Sequence, residues 1–382
     1  MASTTMHEQR ASVGQKLHYV NWGLLIVLSL VASVGFAMLY SAANGNPDPW
    51  AWRQLSRFGI GLVILLIVAM VDLRFWLQHA YWIYLGSFLL LIYVELAGQI
   101  GMGAQRWIDL KLFQLQPSEI VKIATILVLA RYFHRLSFER IGRPQLLLVP
   151  IVLVAAPAAL VLIQPDLGTA GMLLLVGAAI FFIAGVRWWK FALVAALGAA
   201  AVPIGWRYLH DYQKERILTF MTPESDPLGA GYHLMQAKIA LGSGGMFGKG
   251  FLLGTQSHLN FLPERQTDFI FAMLAEEFGM VGCLVLLGLY VILLTYGTVI
   301  ALRCRNHFGR LLAMGLTINL FLYLFINVAM VMGLIPVVGV PLPLISYGGT
   351  AMITVMIGFG LIMGVHINEH LRVGRVGLAD EL

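Results

Sequence analysis

The stretch NWGLLIVLSLVASVGFAMLYS, residues 21–41, decides the fold class of this chain. It carries no charged side chain, and at about 1.5 Å per helical residue it is long enough to cross a hydrocarbon core of about 30 Å. Because the bilayer interior offers no water to unpaired backbone groups, such a stretch must be helical. It is too long for the apolar region of a signal peptide, so we expect an uncleaved membrane anchor.

Composition extends this conclusion to the whole chain. Of the 382 residues, 59% are hydrophobic and 12% are charged, and the mean hydropathy is +0.82. Soluble domains carry about 25% charged residues. Comparable apolar runs recur, which predicts an all-α polytopic membrane protein of about ten transmembrane helices. The expected spans are 21–41, 57–72, 76–97, 117–133, 145–163, 168–186, 188–208, 267–301, 310–334 and 346–367.

The basic residues predict the orientation, because cytoplasmic loops are enriched in Lys and Arg. With ten spans and a cytoplasmic N-terminus, the inner loops hold clusters of basic residues and the short outer loops hold few. We therefore expect a cytoplasmic tail over 1–20, a single transmembrane domain over 21–367 and a cytoplasmic tail over 368–382. The long loop 209–266, between the seventh and eighth spans, is expected to be extracytoplasmic. The net charge of +6 follows from this topology and does not indicate nucleic-acid binding.

The glycine cluster GSGGMFGKG, residues 242–250, lies in that long loop. It fails the P-loop pattern, because Ser243 stands at the first glycine position and Gly250 stands where Ser or Thr is required. We expect a flexible turn whose backbone amides touch a substrate, rather than a nucleotide site.

Glu119 and Lys122 lie at the start of the fourth span, in QPSEIVK. Their three-residue spacing puts them on one helix face within pairing distance. They are either a structural ion pair that holds helices in register or a charged pair that faces an internal cavity, and ionisable residues inside a membrane favour the cavity. Asp166, in QPDLGT between the fifth and sixth spans, is as consistent with ordinary turn chemistry as with a site.

The stretch FLPERQTDFIFAMLAEEFG, residues 261–279, places three carboxylates at and below the mouth of the eighth span. With the helix capped just before it, Asp268 falls in the first helical turn, where it either stabilises the helix dipole or serves a site. Glu276 and Glu277 are interpreted mainly as helix-packing or loop-anchoring groups, because Glu277 points nearly opposite to Asp268 around the helix.

Two other segments border the outer surface. Residues 98–116, GQIGMGAQRWIDLKLFQLQ, are amphipathic and suit an element in the membrane interface, where Arg106 and Trp107 are favourable. The connection PVVGVPLPLISYGGT, residues 336–350, has prolines that prevent a regular helix and glycines that allow unusual backbone angles. Irregular backbone at membrane depth is tolerated where it packs in protein or lines a cavity, so we expect this connection, with Ser346, to border the same outward-facing cavity.

Together, FLPERQTDFIFAMLAEEFG, QPSEIVK, QPDLGT and PVVGVPLPLISYGGT resemble the SEDS (shape, elongation, division and sporulation) family of bacterial membrane glycosyltransferases. The resemblance runs from the first span to about residue 370, and four long motifs in the family's order make it specific. FLPERQTDF and PVVGVPLPL, with the short tails, are more similar to the rod-shape branch of the family than to its division branch. Thr350 stands where the family usually has Ser, which keeps the hydroxyl.

The resemblance implies ten helices in the bacterial cytoplasmic membrane and polymerisation of lipid II into glycan strands on its outer face, for cell elongation and rod shape. It implies that Asp268 is the essential carboxylate, that Glu119 and Lys122 are the polar cavity pair, and that Trp107 is the interfacial tryptophan. The implied partners are a class B penicillin-binding protein, which cross-links the strands, and other membrane proteins of the elongation complex.

The residues suit the implied reaction, in which a glycan leaves undecaprenyl pyrophosphate and joins a sugar hydroxyl. Pyrophosphate leaves without a proton, so one general base is enough, and Asp268 can accept the proton of the hydroxyl. Cations must stabilise the pyrophosphate; a divalent cation such as Mg²⁺ is an alternative, and no organic cofactor is expected. The candidate side-chain cations are Lys122, Arg106, Arg265, Lys214 and Arg216.

Two other functions stay open at this point. A lipid II flippase, or another lipid transporter, would use a charged cavity to carry a headgroup across the membrane. Such a protein should spread polar residues through the midplane and both faces, whereas here they gather at the outer end. A non-catalytic scaffold of the cell-wall synthesis complex is the third alternative, and it would leave Asp268 without a function.

Overall fold

The computed structural model describes residues 13–369 except 102–103, 110–113, 260, 263 and most of 209–229, where it describes Lys214, Leu218 and Thr222. Most of both expected tails, and the first third of the long loop, therefore lie outside the described residues. The chain is mostly α-helical, and eight of its described helices are long and apolar enough to cross a membrane.

The helices follow the expected spans closely. They are α1 (Val13–His18), α2 (Trp22–Ala42), α3 (Ala51–Met70), α4 (Leu73–Ala97), α5 (Pro117–Arg135), α6 (Phe138–Ile141), α7 (Pro144–Ile163), α8 (Leu167–Ala184), α9 (Trp188–Tyr208), α10 (Ala230–Ser243), α11 (Thr255–His258), α12 (Ile270–Arg303), α13 (His307–Val331) and α14 (Gly349–Ile367). Each of the ten expected spans coincides with one of these helices. The largest difference is in the second, because α3 begins at Ala51, before two arginines that interrupt its apolar run.

Two of the ten, α5 and α9, are not among the eight helices that are apolar enough by composition. Helix α5 carries Glu119 and Lys122 near its start and Arg131 and Arg135 near its end, which lower its hydropathy. It is nevertheless buried along most of its length, since it packs against α4, α7, α8, α13 and α14. In α9, the apolar part covers 188–200. Helix α5 is therefore at the centre of the bundle, shielded from lipid by its neighbours.

A small antiparallel sheet shows that the all-α prediction was incomplete. Its strands are β1 (Gln99–Gly101), β2 (Ala104–Asp109) and β3 (Gln114–Leu115), in the order β1-β2-β3. The sequence of β2 places Trp107 and Arg106 on opposite faces, because side chains alternate along a strand. The amphipathic segment predicted at the interface is thus extended where it is described, and its residues 110–113 lie outside the described chain.

Helix α12 is interrupted at Gly279, whose φ of 63° and ψ of −161° are not helical. The glycine turn, which we define as residues 244–250, forms hydrogen bonds with backbone groups on both sides of this break. Met280 N donates to Gly245 O at 2.9 Å, and Lys249 N donates to Glu276 O at 3.0 Å. The expectation that the amides of this turn are available to a substrate is therefore wrong for Lys249, because the protein backbone uses its amide.

Candidate functional site

Asp268 lies near the end of a turn, residues 264–269, that precedes α12. The helix starts after Phe269, its cap residue, so Asp268 stands before the helix and not in its first turn as the sequence suggested. Thr267 N and Phe269 N both donate to Glu264 O, at 3.0 and 3.5 Å, and close the turn. The half-buried Asp268 is therefore outside the first turn, where the helix dipole acts most strongly.

The backbone of Asp268 is held by α13. Asn327 is fully buried, and its Nδ2 donates to the carbonyl oxygens of Asp268 at 3.0 Å and Val340 at 2.7 Å. Beside the carboxylate, Gly339 has a φ of +69°, and a Cβ added to it would lie 3.4 Å from Asp268 Oδ2. One amide thus ties the Asp268 turn to the 336–350 connection, and a glycine lets the backbone approach the carboxylate.

The 336–350 connection contacts the same turn through two further hydrogen bonds. Ser346 Oγ donates to Thr267 O at 2.6 Å, and Tyr347 N donates to Gln266 O at 2.8 Å. The connection therefore lies beside Asp268, as the sequence predicted. The Ser346 hydroxyl, which was a candidate substrate contact, donates its hydrogen bond to the protein backbone.

Glu119 and Lys122 form a closed polar cluster with Tyr323 of α13. Lys122 Nζ donates to Glu119 Oε1 at 2.7 Å and also to the Tyr323 hydroxyl, which in turn donates to Glu119 Oε2. The exposed fractions of the three residues are only 3%, 2% and 2%. A buried ion pair requires such additional hydrogen bonds, because removing two charges from water is unfavourable. The predicted pairing is confirmed, and Tyr323 completes it.

Helix α13 joins this cluster to the Asp268 turn. Tyr323 and Asn327 are four residues apart, so they lie on one face of the helix, about 6 Å apart along its axis. Neither residue was identified from the sequence. A signal was present, since Asn319, Tyr323 and Asn327 recur every fourth residue within an apolar span. The position of α13 therefore couples the buried ion pair to the backbone of Asp268.

Arg106 and Asp166 connect the sheet to the turn before α8. Arg106 donates through Nε to Gln164 O at 3.0 Å and through Nη2 to Pro165 O at 2.6 Å, and its Nη1 lies 3.8 Å from Asp166 Oδ2. Asp166 caps α8 by accepting from Thr169 N at 3.0 Å. Both residues therefore have structural contacts, so the turn-chemistry interpretation of Asp166 is supported.

The first turn of α8 also packs on the 336–350 connection. A Cβ added to Gly168 would lie 2.7 Å from Val338 O, next to the Gly339 that adjoins Asp268. At the end of the connection, Thr350 Oγ1 donates to Gln114 O of the sheet at 2.6 Å. Trp107 is half-buried on β2, in register with Gln99 of β1. The QPDLGT motif and the sheet thus border the site through one shared segment.

The other side-chain cations proposed from the sequence are Arg265, Lys214 and Arg216. Arg265 Nη1 donates to Ser257 O, which directs the guanidinium towards α11, and burial lowers the pKa of Arg265 from its ordinary value. A guanidinium stays charged despite such a change. Lys214 is described while the residues on either side of it in the chain are not, and Arg216 lies outside the described residues.

Glu276 and Glu277 anchor the long loop, as interpreted from the sequence. Glu276 Oε1 accepts from Lys249 Nζ at 2.7 Å and from Gln256 N at 3.0 Å. Glu277 Oε1 accepts from Ser41 Oγ at 2.5 Å and lies 3.3 Å from His258 Nε2. Both carboxylates are fully buried. They hold the segment around the glycine turn against the first turns of α12.

A divalent cation would find few protein ligands here. Among the residues that the structure describes, no three His, Cys, Asp or Glu side chains gather as a metal-binding set. Mg²⁺ commonly binds through one or two carboxylates and completes its shell with substrate phosphates and water. Asp268 fits that mode as a single carboxylate, and it is the residue that would hold such an ion.

Comparison with known proteins identifies the family to which these motifs belong. The family model FTSW_RODA_SPOVE, described as "Cell cycle protein", matches residues 15–371. This chain belongs to the FtsW/RodA/SpoVE family. The match spans every element that surrounds Asp268, and it includes all four motifs on which the SEDS resemblance rests.

Individual members of the FtsW/RodA/SpoVE family show similarity over nearly the full chain. The peptidoglycan glycosyltransferase MrdB of Escherichia coli K12 is 45% identical over 372 residues, which are 96% of this chain and 98% of that protein. A chain from a peptidoglycan synthase complex, studied for its coordination of polymerization and crosslinking, superposes with a TM-score of 0.81 at 32% identity, covering 92% of this chain and 99% of that one. The Thermus thermophilus rod shape determining protein RodA gives a TM-score of 0.70 at 30% identity, covering 92% and 98%. The chain is of the RodA type within its family.

Proposed function

We propose that this chain is a peptidoglycan glycosyltransferase that polymerises lipid II into glycan strands for cell elongation. The observation that carries the proposal is the position of Asp268. The turn that bears it is held by the 336–350 connection and by α13, which also contacts the Glu119–Lys122 pair. The E. coli relative with 45% identity is named a peptidoglycan glycosyltransferase. The chain is a multi-pass protein of the bacterial inner membrane.

The proposed topology has ten transmembrane helices, with α5 and α9 added to the eight that are most apolar, and both termini in the cytoplasm. The clusters of Lys and Arg in the loops after α5 and α12 support it. In this topology Asp268 lies at the outer membrane surface. A reporter that is active only in the periplasm should work when fused after residue 245 and stay silent after 140 or 306. The opposite pattern would place Asp268 in the cytoplasm and exclude polymerisation on the outer face.

In the proposed reaction, Asp268 accepts the proton of the acceptor sugar hydroxyl as that oxygen attacks the anomeric carbon of the donor glycan. The bond from this carbon to the pyrophosphate oxygen breaks, and undecaprenyl pyrophosphate leaves as an anion. Direct displacement converts the α-linked donor into a β-linked product. A general base contributes typically about 10²- to 10⁴-fold. The hydrogen bonds from Asn327 and Ser346 fix the backbone of the turn, which favours a preorganised carboxylate.

The leaving pyrophosphate requires positive charge. A bound Mg²⁺ would supply it by neutralising the phosphate oxygens, with Asp268 as its protein ligand. In either role, as base or as ligand, the carboxylate of Asp268 must be ionised, so removal of its charge is expected to abolish polymerisation.

The Glu119–Lys122 pair is proposed to act by positioning. Both Glu119 oxygens accept hydrogen bonds within the cluster, Lys122 Nζ donates to two of its atoms, and both residues are buried. The pair fixes Tyr323, and Tyr323 lies one turn from the Asn327 that holds Asp268. Loss of either charge leaves the other unpaired in a low-dielectric site, which is strongly unfavourable.

A class B penicillin-binding protein is proposed as the partner that cross-links the new strands, together with other membrane proteins of the elongation complex. The support is the similarity to a chain from a peptidoglycan synthase complex in which polymerization and crosslinking are coordinated. Co-purification of the two full-length proteins from the same membrane would test this pairing.

The direct test of the function is polymerisation of lipid II by the purified protein in detergent or nanodiscs. Glycan strands formed without any other polymerase would support the proposal. A protein that moves lipid II across vesicle membranes but makes no polymer, alone or with its transpeptidase partner, would be a transporter. A protein that does neither would be a scaffold.

A further inference from the structure

Arg57, on the second turn of α3, has a guanidinium nitrogen without a hydrogen-bond partner among the described residues. Its Nη1 is buried, and no described residue accepts a hydrogen bond from it. The guanidinium carbon lies 4.7 Å from the centroid of the Tyr347 ring, a cation–π contact that supplies no hydrogen-bond acceptor. Arg57 as a whole is half-buried, but a buried polar atom such as Nη1 is normally hydrogen-bonded. An arginine in this state is suited to bind an anion.

The guanidinium lies close to the Asp268 turn. A Cβ added to Gly349 would lie 3.2 Å from Arg57 Cζ and Nε, so this glycine leaves room for the guanidinium. Tyr347, whose ring Arg57 covers, donates its backbone N–H to Gln266 O at 2.8 Å. Gln266 is two residues before Asp268. Arg57 is therefore separated from the Asp268 turn by one residue, Tyr347.

Gln54, one turn earlier on α3, fixes the same region. Its Nε2 donates to Ser346 O at 2.9 Å, and its Oε1 accepts from Gly348 N at 3.5 Å. Helix α14 then starts after Gly348 without a side-chain cap. Its first backbone N–H groups, next to Arg57, add donors that favour an anion at this place.

Four other cations near the site are engaged by the protein itself. They are Lys122 on Glu119 and Tyr323, Arg106 on Gln164 O and Pro165 O, Arg265 on Ser257 O, and Lys249 on Glu276. Arg57 differs from these four because it retains a buried N–H that no described residue accepts.

We propose that Arg57 binds the pyrophosphate of a polyprenyl-linked substrate. This inference rests on the proposed function and assigns a residue to the positive charge that the reaction requires. A guanidinium presents parallel N–H donors that match phosphate oxygens, which an ammonium does not. Arg57 is six residues after the start of α3, so it lies about 9 Å along the helix from its outer end. In the proposed topology this position is close to the outer headgroup region, where the pyrophosphate of such a lipid resides.

The test compares the binding of undecaprenyl pyrophosphate and of undecaprenol to the full-length protein in nanodiscs. The two probes share the polyprenyl chain, so their difference isolates the charged headgroup. We expect Arg57→Gln to weaken pyrophosphate binding by about tenfold or more and to change undecaprenol binding by less than about twofold, because only charge-assisted hydrogen bonds are lost. Arg57→Lys keeps the charge without the planar fork and should restore part of the affinity.

Arg303→Gln is the matched control, since Arg303 is exposed at the inner end of α12 and its loss changes the net charge equally. It should bind both probes as the wild type does. Unchanged pyrophosphate binding in Arg57→Gln, or an equal loss for both probes in a folded variant, would overturn the assignment. If Arg57→Gln does not fold, the assignment is tested with Arg57→Lys instead. An affinity of Arg57→Lys for undecaprenyl pyrophosphate equal to that of the wild type would contradict a guanidinium contact.

The result is separable from the proposed function. If the wild type makes no polymer from lipid II, the polymerase proposal fails, whatever Arg57 binds. If the wild type polymerises lipid II and Arg57→Gln binds undecaprenyl pyrophosphate normally, only the Arg57 assignment fails.

Discussion

Replacing Gly248 by alanine should detach the glycine turn from the break in α12. Gly248 has a φ of +80°, and a Cβ added to it would lie 2.1 Å from Glu277 O and 2.3 Å from the carbonyl carbon of Glu277. Because these are backbone atoms of a packed helix, the turn must move away. Two adjacent backbone hydrogen bonds would then be lost, from Lys249 N and Gly250 N, each 3.0 Å long.

The loss of free energy for docking of the glycine turn is the sum of the backbone strain at residue 248 and the two lost hydrogen bonds. An alanine at positive φ costs roughly 1 kcal/mol, and each lost hydrogen bond contributes about 1 kcal/mol. Docking of the turn should therefore weaken by about 3 kcal/mol, which raises the undocked population by about two orders of magnitude. Since the same segment carries Lys249, the partner of Glu276, we also expect reduced polymerisation of lipid II.

The assay is hydrogen–deuterium exchange of amides 244–253 in the purified protein, read beside lipid II polymerisation. Gly242→Ala is the matched control, because Gly242 lies in α10 and a Cβ there meets no atom within 4 Å. Exchange at Lys249 and Gly250 should increase in Gly248→Ala and stay at the wild-type level in Gly242→Ala. Equal protection in the two variants would refute the account of the broken helix.

Three further predictions concern the buried carboxylates. Glu119→Ala and Lys122→Ala should each abolish growth support in a strain that depends on this protein, because each leaves an unpaired buried charge; growth with either one would show that the pair is dispensable. Tyr323→Phe keeps the ring and the ion pair, so polymer formed per minute should fall only partly, and a rate as low as that of Lys122→Ala would show that the hydroxyl is as necessary as the ion pair. Lys249→Met leaves Glu276 buried without its ammonium partner and should lower the thermal unfolding temperature, whereas a wild-type melting curve would show that the pair does not anchor the loop.

The transmembrane helices were predictable because the bilayer imposes their length. An apolar run of about 20 residues has one favourable structure in lipid, so the eight most apolar helices follow from composition. The pairing of Glu119 with Lys122 was predictable for a similar local reason, since three-residue spacing on a helix fixes their proximity. In both cases the deciding interaction lies within one element.

Contacts between distant elements were not predictable in this way. Asn327, Ser346 and Arg106 donate mainly to backbone carbonyls of irregular segments, and every residue carries such a carbonyl, so no sequence pattern marks the acceptor. The start of α12 was misplaced by a few residues because the 264–269 turn resembles a first helical turn in composition. The break at Gly279 was missed because a glycine within an apolar run is common in membrane helices.

The structural role of the glycine turn was also not predictable from the sequence. Glycines at 244, 245, 248 and 250 suggest flexibility when they are read alone. In the structure they allow close backbone approach, since a Cβ at Gly244 would lie 1.9 Å from Ala275 O. The chemical meaning of a glycine depends on the backbone it faces, which the sequence does not reveal.

The most direct test of the central claim is the amount of glycan that purified Asp268→Asn protein makes from lipid II, compared with wild type at equal folded amounts. Asparagine keeps the size of the side chain and leaves the backbone bond from Asn327 Nδ2 to the carbonyl of residue 268 possible. It removes the charge that a base or a metal ligand needs. The account predicts a variant that inserts, melts and binds its partner as the wild type does, and that makes no polymer. Polymer at close to the wild-type level would contradict it and leave Asp268 with a structural role only.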